Sequence, residues 1–344
     1  MRHMISGIGC ATSLGATRAE TLAGYLRRAK GFRKVRSRVG VDGLPQVLAA
    51  ALPPDEPRAP VERLAALLRL AFDDLARDIA PEGAGVPVVI VLPGWAHEAQ
   101  PRGTAEAAAL AAVPEGAGPA QVIWADERAA TSVLAEECRA LDAGGSGELI
   151  LAVADTLCPS AIVDVLAARD AVLSRHQPHG LIPGEAAVAL RVAPIDAPAA
   201  VSGWGHLWSH AKATEQVSPK GRETLIGAAL AGLWPRALGP EGRPTRLLVD
   251  RNGERWRAEE AGHALTRNAD RLTPDLRSAA EDPLSHLGDP GIARGALLVA
   301  LALSPAPPNL PVPADAHWAL VSESYVSGLK CATVIACPAG KEEP

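Results

Sequence analysis

Residues 61–92 read VERLAALLRLAFDDLARDIAPEGAGVPVVIVL, in which a helical pattern is followed by a short apolar run. Within residues 61–79 the apolar side chains recur at the i, i+3, i+4 and i+7 spacing of one helix face. The run Val86–Leu92 is rich in β-branched residues, which is typical of a buried strand. A buried strand next to an amphipathic helix is the building unit of an α/β fold.

The same alternation continues along the chain. Further strands are predicted at Met4–Ile8, Gln121–Trp124, Glu148–Val153, Ala186–Val192, Arg246–Val249, Ala319–Ser322 and Cys331–Cys337. Further helices are predicted at Arg18–Arg28, Ala105–Ala112, Glu127–Leu141, Gly221–Leu233 and Ile292–Leu303. We therefore predict an α/β protein with a largely parallel or mixed sheet.

The composition narrows the class of protein. The 344 residues include 34 basic and 39 acidic side chains, and only 3% are aromatic, so a basic, base-stacking surface for nucleic acid is not expected. Five cysteines in so long a chain predict free thiols rather than a disulfide framework. The apolar runs are too short to cross ~30 Å of hydrocarbon, and the N-terminus makes a poor signal peptide. We expect a cytoplasmic protein without a membrane segment.

One short pattern occurs twice. Ile5-Ser6-Gly7-Ile8-Gly9 near the start is echoed by Val201-Ser202-Gly203-Trp204-Gly205. A stretch rich in proline and alanine, APIDAPA at residues 193–199, separates the two copies. The echo is a weak indication that the chain consists of two related halves.

No motif in the chain predicts a cofactor or a metal ion. Gly7-x-Gly9 lacks the third glycine of a dinucleotide fingerprint, because Thr12 stands there, and a tight strand exit explains the pair better. His206 and His210 have the i, i+4 spacing that could ligate a metal on a helix. No glutamate accompanies them in an H-E-x-x-H pattern, so exposed histidines are the favoured interpretation.

Five stretches occur in a fixed order between residues 5 and 337. They are ISGIGCATSLG (5–15), GLIPGEAA (180–187), GWG (203–205), GIARGA (291–296), and SG followed by CATVI (327–328 and 331–335). In this order and spacing they resemble the β-ketoacyl synthase branch of the thiolase superfamily. The resemblance covers nearly the whole chain.

The resemblance implies a thiolase-like, five-layered α-β-α-β-α fold built from two pseudo-duplicated halves. We assign residues 1–198 to the N-terminal half and residues 199–344 to the C-terminal half. Members of this branch are usually dimers, so a homodimer is an assembly that the resemblance implies.

The resemblance also locates the catalytic positions. A condensing enzyme of this branch uses a thiolate at a helix N-terminus and two imidazoles, or one imidazole and an asparagine, that stabilise an oxyanion. Here Glu127 falls at the cysteine position and Asn252 at the first histidine position. The second histidine position falls on Gly288, and His286 could replace it only if the alignment slips locally. The family positions Glu127, Asn252 and His286 are therefore degenerate, and no catalytic residue is expected.

A run of cations interrupts this acidic sequence. It consists of Arg27, Arg28, Lys30, Arg33, Lys34, Arg36 and Arg38. One interpretation is a solvated helix end and loop, where cations offset the helix dipole. The other is a docking patch for an acidic partner.

Two roles follow from the resemblance. NGERWRAEE at residues 252–260 is similar to the N-G-E-x-x-R-A-E-E of short ketosynthase-like proteins associated with type VI secretion, and the chain is shorter than a typical chain-length factor. We predict a non-enzymatic helper that binds a secretion effector or adaptor. The alternative is a β-ketoacyl-ACP synthase or a chain-length-factor-like subunit in fatty-acid or polyketide synthesis, whose partner is an acyl carrier protein or an active synthase. An active enzyme would need Glu127 or His286 for its chemistry.

Overall fold

The computed structural model describes most of the chain. The described residues are 3–41, 44–52, 59–78, 85–96, 102–125, 129–144, 147–195, 204–215, 227–240, 242–278, 280–306 and 317–337.

Eleven strands are found in the described residues. They are β1 (His3–Thr12), β2 (Phe32–Val41), β3 (Leu44–Ala50), β4 (Val88–Pro93), β5 (Ala120–Ala125), β6 (Leu149–Thr156), β7 (Glu185–Pro194), β8 (Gly205–Thr214), β9 (Arg246–Val249), β10 (His317–Ser324) and β11 (Leu329–Cys337).

Helices alternate with these strands. They are α1 (Arg18–Leu26), α2 (Pro60–Asp78), α3 (Arg102–Leu110), α4 (Ala130–Gly144), α5 (Ser160–Ala168), α6 (Ala228–Leu238), α7 (Arg255–Arg267), α8 (Pro274–Ser278), α9 (Leu284–Leu287) and α10 (Arg294–Ala302). Two 3₁₀ turns, Ala269–Arg271 and Gly291–Ala293, precede α8 and α10.

The sheet topology repeats itself. Nine strands are hydrogen-bonded in the order β5-β4-β6-β7-β1-β8-β11-β10-β9, and the centre of this order is a short antiparallel contact between β1 and β8. Going outward from that contact, the strands of each half follow in the order first, last and second-to-last. These are β1, β7 and β6 in the N-terminal half and β8, β11 and β10 in the C-terminal half. In both halves the first two pairings are antiparallel and the next is parallel. The predicted duplication is thus confirmed by strand order and direction; among the described strands of this sheet, β5 alone has no counterpart.

The layers follow from where the helices pack. The β1–β8 contact divides the nine strands into an N-terminal sheet (β5-β4-β6-β7-β1) and a C-terminal sheet (β8-β11-β10-β9). Helix α2 covers the outer face of the N-terminal sheet, and α6 covers the outer face of the C-terminal sheet. Helices α4 and α10 lie between the two sheets, and α10 contacts strands of both halves. All nine residues of α10 are buried, as expected for a helix that is apolar on all sides. The predicted five-layered fold is confirmed.

Most of the predicted elements are present, with three differences. The basic run was open to interpretation as a helix end and loop, but residues 32–41 form β2, which pairs with β3 in a separate two-stranded sheet. The helix predicted from Gly221 begins at Ala228, and residues 216–226 lie outside the described residues. Strands β3 and β8 and helices α5, α7, α8 and α9 were not predicted. The boundary between residues 198 and 199 also lies outside the described residues and stays a prediction.

In the described ranges, no helix combines the length and the apolar character that a bilayer crossing requires.

The Gly7-x-Gly9 pair has a packing role rather than the predicted role of a strand exit. Strand β1 continues to Thr12, and α2 approaches it at Gly9. A Cβ atom on Gly9 would lie 1.9 Å from the carbonyl oxygen of Ala71 and 2.5 Å from the backbone nitrogen of Leu75. Only a glycine permits this contact between the outer helix and the sheet.

We expect Gly9→Ala to lower the free energy of unfolding by about 1–3 kcal/mol, because the added methyl group must displace backbone. The matched control is Gly232→Ala in α6, where nothing lies within 4 Å of the new Cβ. This control should gain up to ~1 kcal/mol from helix propensity. Urea denaturation with an unchanged m-value measures both. Equal effects of the two substitutions would contradict the packing role of Gly9.

Candidate functional site

Asn252, at the first histidine position, is buried in the loop between β9 and α7. Its Nδ2 donates to Asp289 Oδ2 at 2.6 Å and to Glu254 Oε2 at 2.9 Å. Its Oδ1 accepts the backbone N–H of Glu254 at 3.0 Å. Both side-chain N–H groups of Asn252 are therefore hydrogen-bonded to carboxylates of the protein.

The residue that meets Asn252 is Asp289 and not His286. Gly288, the predicted second histidine position, has a φ of +72°, and a Cβ there would lie 2.8 Å from the Cβ of Ala50, so it has no room for a side chain. His286 Nδ1 is 3.3 Å from the carbonyl oxygen of Ala29, beside the ring of Tyr25. The structure thus places His286 against the segment that follows α1.

Arg294 holds Asp289 from the other side. Its guanidinium is buried, lies 3.3 Å from Asp289 Oδ2 and stacks 4.7 Å from the ring centroid of Tyr325. Burial alone would lower the pKa of Arg294, but Asp289 and the neighbouring acids raise it above its usual value. Arg294 therefore stays charged, and it neutralises Asp289.

A second buried carboxyl completes this side of the cluster. Glu323 accepts hydrogen bonds from the hydroxyl groups of Thr131 and Tyr325. Burial raises the pKa of Glu323, and the two hydrogen bonds oppose that shift only in part. Thr131 lies in the first turn of α4, so this contact ties the N-terminal half to β10 of the C-terminal half.

An ion-pair network continues from Asn252 into α7. Arg257 is buried and pairs with Glu254 and Asp250, and it also donates to the carbonyl oxygen of Ser324. These residues belong to the NGERWRAEE stretch or precede it directly. Glu260, in the same stretch, pairs at 2.6 Å with Lys330, and both side chains are fully buried. The buried residues of the motif therefore serve the interior of the fold, whereas Arg255 and Glu259 lie at the surface.

The predicted nucleophile position, Glu127, lies outside the described residues. The described start of α4 contains Ala129, Thr131 and Ser132, all buried. Arg36 and Arg38 lie on β2, but their side chains are likewise outside the described part.

A thiol does lie at the start of α4, contributed by β11. Cys331 Sγ is 3.3 Å from Ser132 Oγ, which is 3.1 Å from His210 Nε2. Burial, with Glu323 nearby, raises the pKa of Cys331 to about 12. Burial lowers the pKa of His210 to about 4, so its imidazole is neutral at pH 7. Neither a thiolate nor an imidazolium forms here at neutral pH.

The other thiols are no better suited to nucleophilic attack. Burial raises the pKa of each of Cys10, Cys138 and Cys337 to about 12. Cys158 is buried and donates to the carbonyl oxygen of Ala50. An unreactive, buried thiol is the usual state of a structural cysteine.

The histidine pair does not form a metal site. His206 and His210 lie on strand β8, where the i, i+4 spacing separates them along the strand instead of bringing them together. Among the described residues, no group of three or more His, Cys, Asp or Glu side chains could hold a metal ion.

A cleft of about 420 Å³ opens beside the network. It lies between the segment after α5 and the start of α7, and its lining includes Arg169, Asp170, His179 and Trp256. Glu254 also lines it, so the cleft reaches the residue that binds Asn252 and Arg257. Its wall is charged and carries no thiol.

The basic segment is a surface feature in its described part. Arg27, Arg28, Lys30 and Lys34 are exposed, and Arg33 is half-buried. Among the described residues, no carboxylate pairs with any of the four exposed cations. The structure therefore leaves a patch of positive charge on an acidic protein.

The sequence did not reveal Asp289, Arg294 or Glu323 as site residues. Asp289 directly follows the position assigned to the second histidine, and GIARGA carries an extra residue compared with the family's G-A-A-G-A. Allowing for that insertion would have moved the position by one residue. Thr131 and Glu323 are 192 residues apart, and no local pattern signals such a contact.

No protein-family model matches the chain. No curated protein matches it either.

Solved structures do match over almost the whole chain. The ishigamide ketosynthase/chain length factor superposes with a TM-score of 0.71 at 18% identity, covering 98% of this chain and 100% of that one. A type II polyketide synthase acyl-carrier protein in complex with its ketosynthase, AntDE:AntF, gives 0.75 at 14% identity, with 98% and 99% covered. The ketosynthase from module 6 of the bacillaene synthase of Bacillus subtilis 168 gives 0.71 at 14% identity, with 99% and 73% covered. The chain thus has the same thiolase-like fold as these ketosynthases.

We expect Asp289→Asn to lower the free energy of unfolding by about 3–5 kcal/mol, because it leaves the buried Arg294 without a counter-charge. The control is Glu259→Gln, which removes a carboxylate from an exposed pair with Arg255. That substitution should change stability by less than about 1 kcal/mol. Chemical denaturation at neutral pH measures both. A loss at Asp289 no larger than that at Glu259 would show that the pair with Arg294 is not needed.

We expect Asp282→Asn to gain stability relative to the unmodified protein as the pH rises from about 4 to 7. Burial raises the pKa of Asp282 from 3.8 to about 6, so its ionisation opposes folding over that interval, and asparagine cannot ionise. The lowered pKa of His210 acts in the opposite direction in both proteins and cancels from the difference. Denaturation at several pH values measures this difference, and a constant difference would contradict the raised pKa.

Proposed function

We propose that this chain is a ketosynthase-fold protein that does not condense acyl groups and that acts by binding a protein partner. The observation that carries the proposal is the contact between Asn252 and Asp289, neutralised by Arg294. Asn252 stands at the position that the resemblance assigns to the first histidine, and Asp289 directly follows Gly288, which it assigns to the second.

The chemistry of this contact disfavours condensation. An enolate or thioester oxyanion needs free hydrogen-bond donors aimed at its developing negative charge. The side-chain N–H groups of Asn252 are both used by carboxylates, and Asp289 adds a negative charge at the same place. The described thiols are buried, and none of those with a resolved pKa shift is ionised at neutral pH.

The partner that the surface fits best is acidic. The exposed cations Arg27, Arg28, Lys30 and Lys34 form one patch, and opposite charge speeds association and fixes orientation. One of the similar structures is an acyl-carrier protein in complex with its ketosynthase. We therefore favour a chain-length-factor-like subunit whose partner is an acyl carrier protein or an active synthase, and a homodimer stays a prediction.

The secretion helper remains a second candidate with weaker support. The stretch NGERWRAEE suggested it, but its Asn252, Arg257 and Glu260 are buried in structural contacts, which leaves only residues such as the exposed Arg255 and Glu259 to meet a partner. The short chain was the other argument, yet the ishigamide structure is covered over its whole length by 98% of this chain. Neither observation now distinguishes a secretion partner.

The absence of condensation can be tested with malonyl and acyl groups carried on an acyl carrier protein. We expect neither decarboxylation nor condensation above the rate without protein. Glu127→Ala should change nothing, since no acyl transfer takes place. Turnover that is lost in Glu127→Ala would replace this proposal with a working synthase.

The docking patch can be tested by charge reversal. Arg28→Glu combined with Lys30→Glu should weaken binding of an acyl carrier protein by about tenfold or more, and higher salt should weaken it further. The matched control is Arg267→Glu combined with Arg277→Glu, which reverses two exposed charges in the C-terminal half. Calorimetry or surface plasmon resonance measures the affinity. Equal losses in both double variants, or co-purification only with a secretion effector expressed beside the chain, would contradict the assigned partner.

A further inference from the structure

Asp155, at the end of β6, is a buried carboxyl group that connects three parts of the chain. Its Oδ1 accepts the indole N–H of Trp95 at 3.0 Å and the backbone N–H of Thr156 at 2.7 Å. Its Oδ2 accepts the backbone N–H of Ile292 at 2.9 Å. Asp155 thus joins the N-terminal sheet to the 3₁₀ turn that begins the buried helix α10.

A second carboxylate occupies the same turn. Asp289 Oδ1 accepts the backbone N–H of Gly291 at 2.9 Å, so Asp155 and Asp289 accept consecutive N–H groups. The fit is tight, because a Cβ on Gly291, whose φ is +58°, would lie 1.9 Å from Asp155 Oδ2. Both carboxyl groups lie where water is excluded.

The charges around this turn do not balance when both carboxyl groups are ionised. Arg294 is the cation at the turn among the described residues, and it lies against Asp289. Behind Thr156, Glu185 accepts the Thr156 hydroxyl and is neutralised by Arg63. In the segment after β4, the side chain that faces Asp155 is that of Trp95, which is uncharged.

The neighbouring residue on β10, Glu323, is also an acid and supplies no counter-charge for Asp155 or Asp289. Glu323 is bonded to Thr131 and Tyr325 and lies close to Gly295. Burial, with a contribution from Asp289, raises the pKa of Asp155 to about 7, although three N–H groups favour its ionised form. Asp155 therefore exchanges its proton in the neutral range.

We propose that Asp155 is a proton-dependent tie between the N-terminal half and the start of α10. While Asp155 carries a proton, its oxygens still accept the three N–H groups, and one negative charge at the turn faces one guanidinium. When Asp155 ionises, its charge repels that of Asp289, against which the guanidinium of Arg294 lies, and the 291–293 turn opens more often to relieve the repulsion. The device does not depend on the proposed function.

The opening can be followed by amide hydrogen exchange of residues 289–296, corrected for the intrinsic effect of pH. Because the pKa of Asp155 is raised from 3.8 to about 7 in the closed state, the tie predicts that the opening equilibrium rises between about pH 4 and pH 7, by at most roughly tenfold per pH unit, and levels off above pH 7. Asp155→Asn should abolish the pH dependence, whatever its constant effect on stability. Asp282→Asn, which removes another buried acid with a raised pKa, should leave it intact.

A second measurement covers the case in which Asp155→Asn does not fold. The fluorescence difference between the unmodified protein and Trp95→Phe isolates the indole bonded to Asp155. A titration in this difference with a midpoint near 7 supports the tie. No midpoint between about 6 and 8, or the same exchange profile in Asp155→Asn as in the unmodified protein, would overturn it.

Discussion

The meeting of the two halves around α10 depends on charge neutralisation without water. Helix α10 is buried on all sides, and its beginning is surrounded by acids from both halves. A carboxylate in such a place is tolerated only when hydrogen bonds, a cation or a proton compensate for the lost hydration. Arg294 supplies the charge for Asp289, hydroxyl groups serve Glu323, and backbone N–H groups serve Asp155.

This constraint explains why the site is ill suited to condensation. A catalytic oxyanion site keeps donors unpaired until charge develops on the substrate. Here the donors of Asn252 and Arg257 are committed to acids of the chain itself. Freeing any of them for a substrate would leave a buried carboxylate without a partner, at a free-energy cost of several kcal/mol. The interior therefore favours a fixed arrangement of groups over a reactive one.

The sequence alone predicted more of the fold than of the site. Alternating apolar runs and helical periods are local signals, and they placed strands such as β4 and helices such as α2 correctly. The basic run misled, because cations on a strand and cations at a helix end look alike without knowledge of the pairing with β3. The site depends on contacts between residues far apart in the sequence, such as Asn252 with Asp289. An alignment error of one residue is enough to assign the wrong partner to such a contact. The sequence alone assigned the partner of Asn252 to Gly288, which has no side chain, one residue before Asp289.

The duplication shows which features the fold itself requires. Both halves repeat strand order and direction, and both begin with a glycine at which another element approaches closely: Gly9 meets α2, and Gly205 lies against Leu303 and Ala336. The charged network has no such repetition, since its ion pairs, Arg257 with Asp250 and Arg294 with Asp289, lie in the C-terminal half and the N-terminal half contributes the hydroxyl group of Thr131. Buried ion pairs stabilise little compared with apolar groups of the same volume, but breaking one is expensive. Through the contact of Thr131 with Glu323 and the pair of Arg294 with Asp289, the network fixes α4 to β10 and the start of α10 to the loop before it, beside the short contact of β1 with β8.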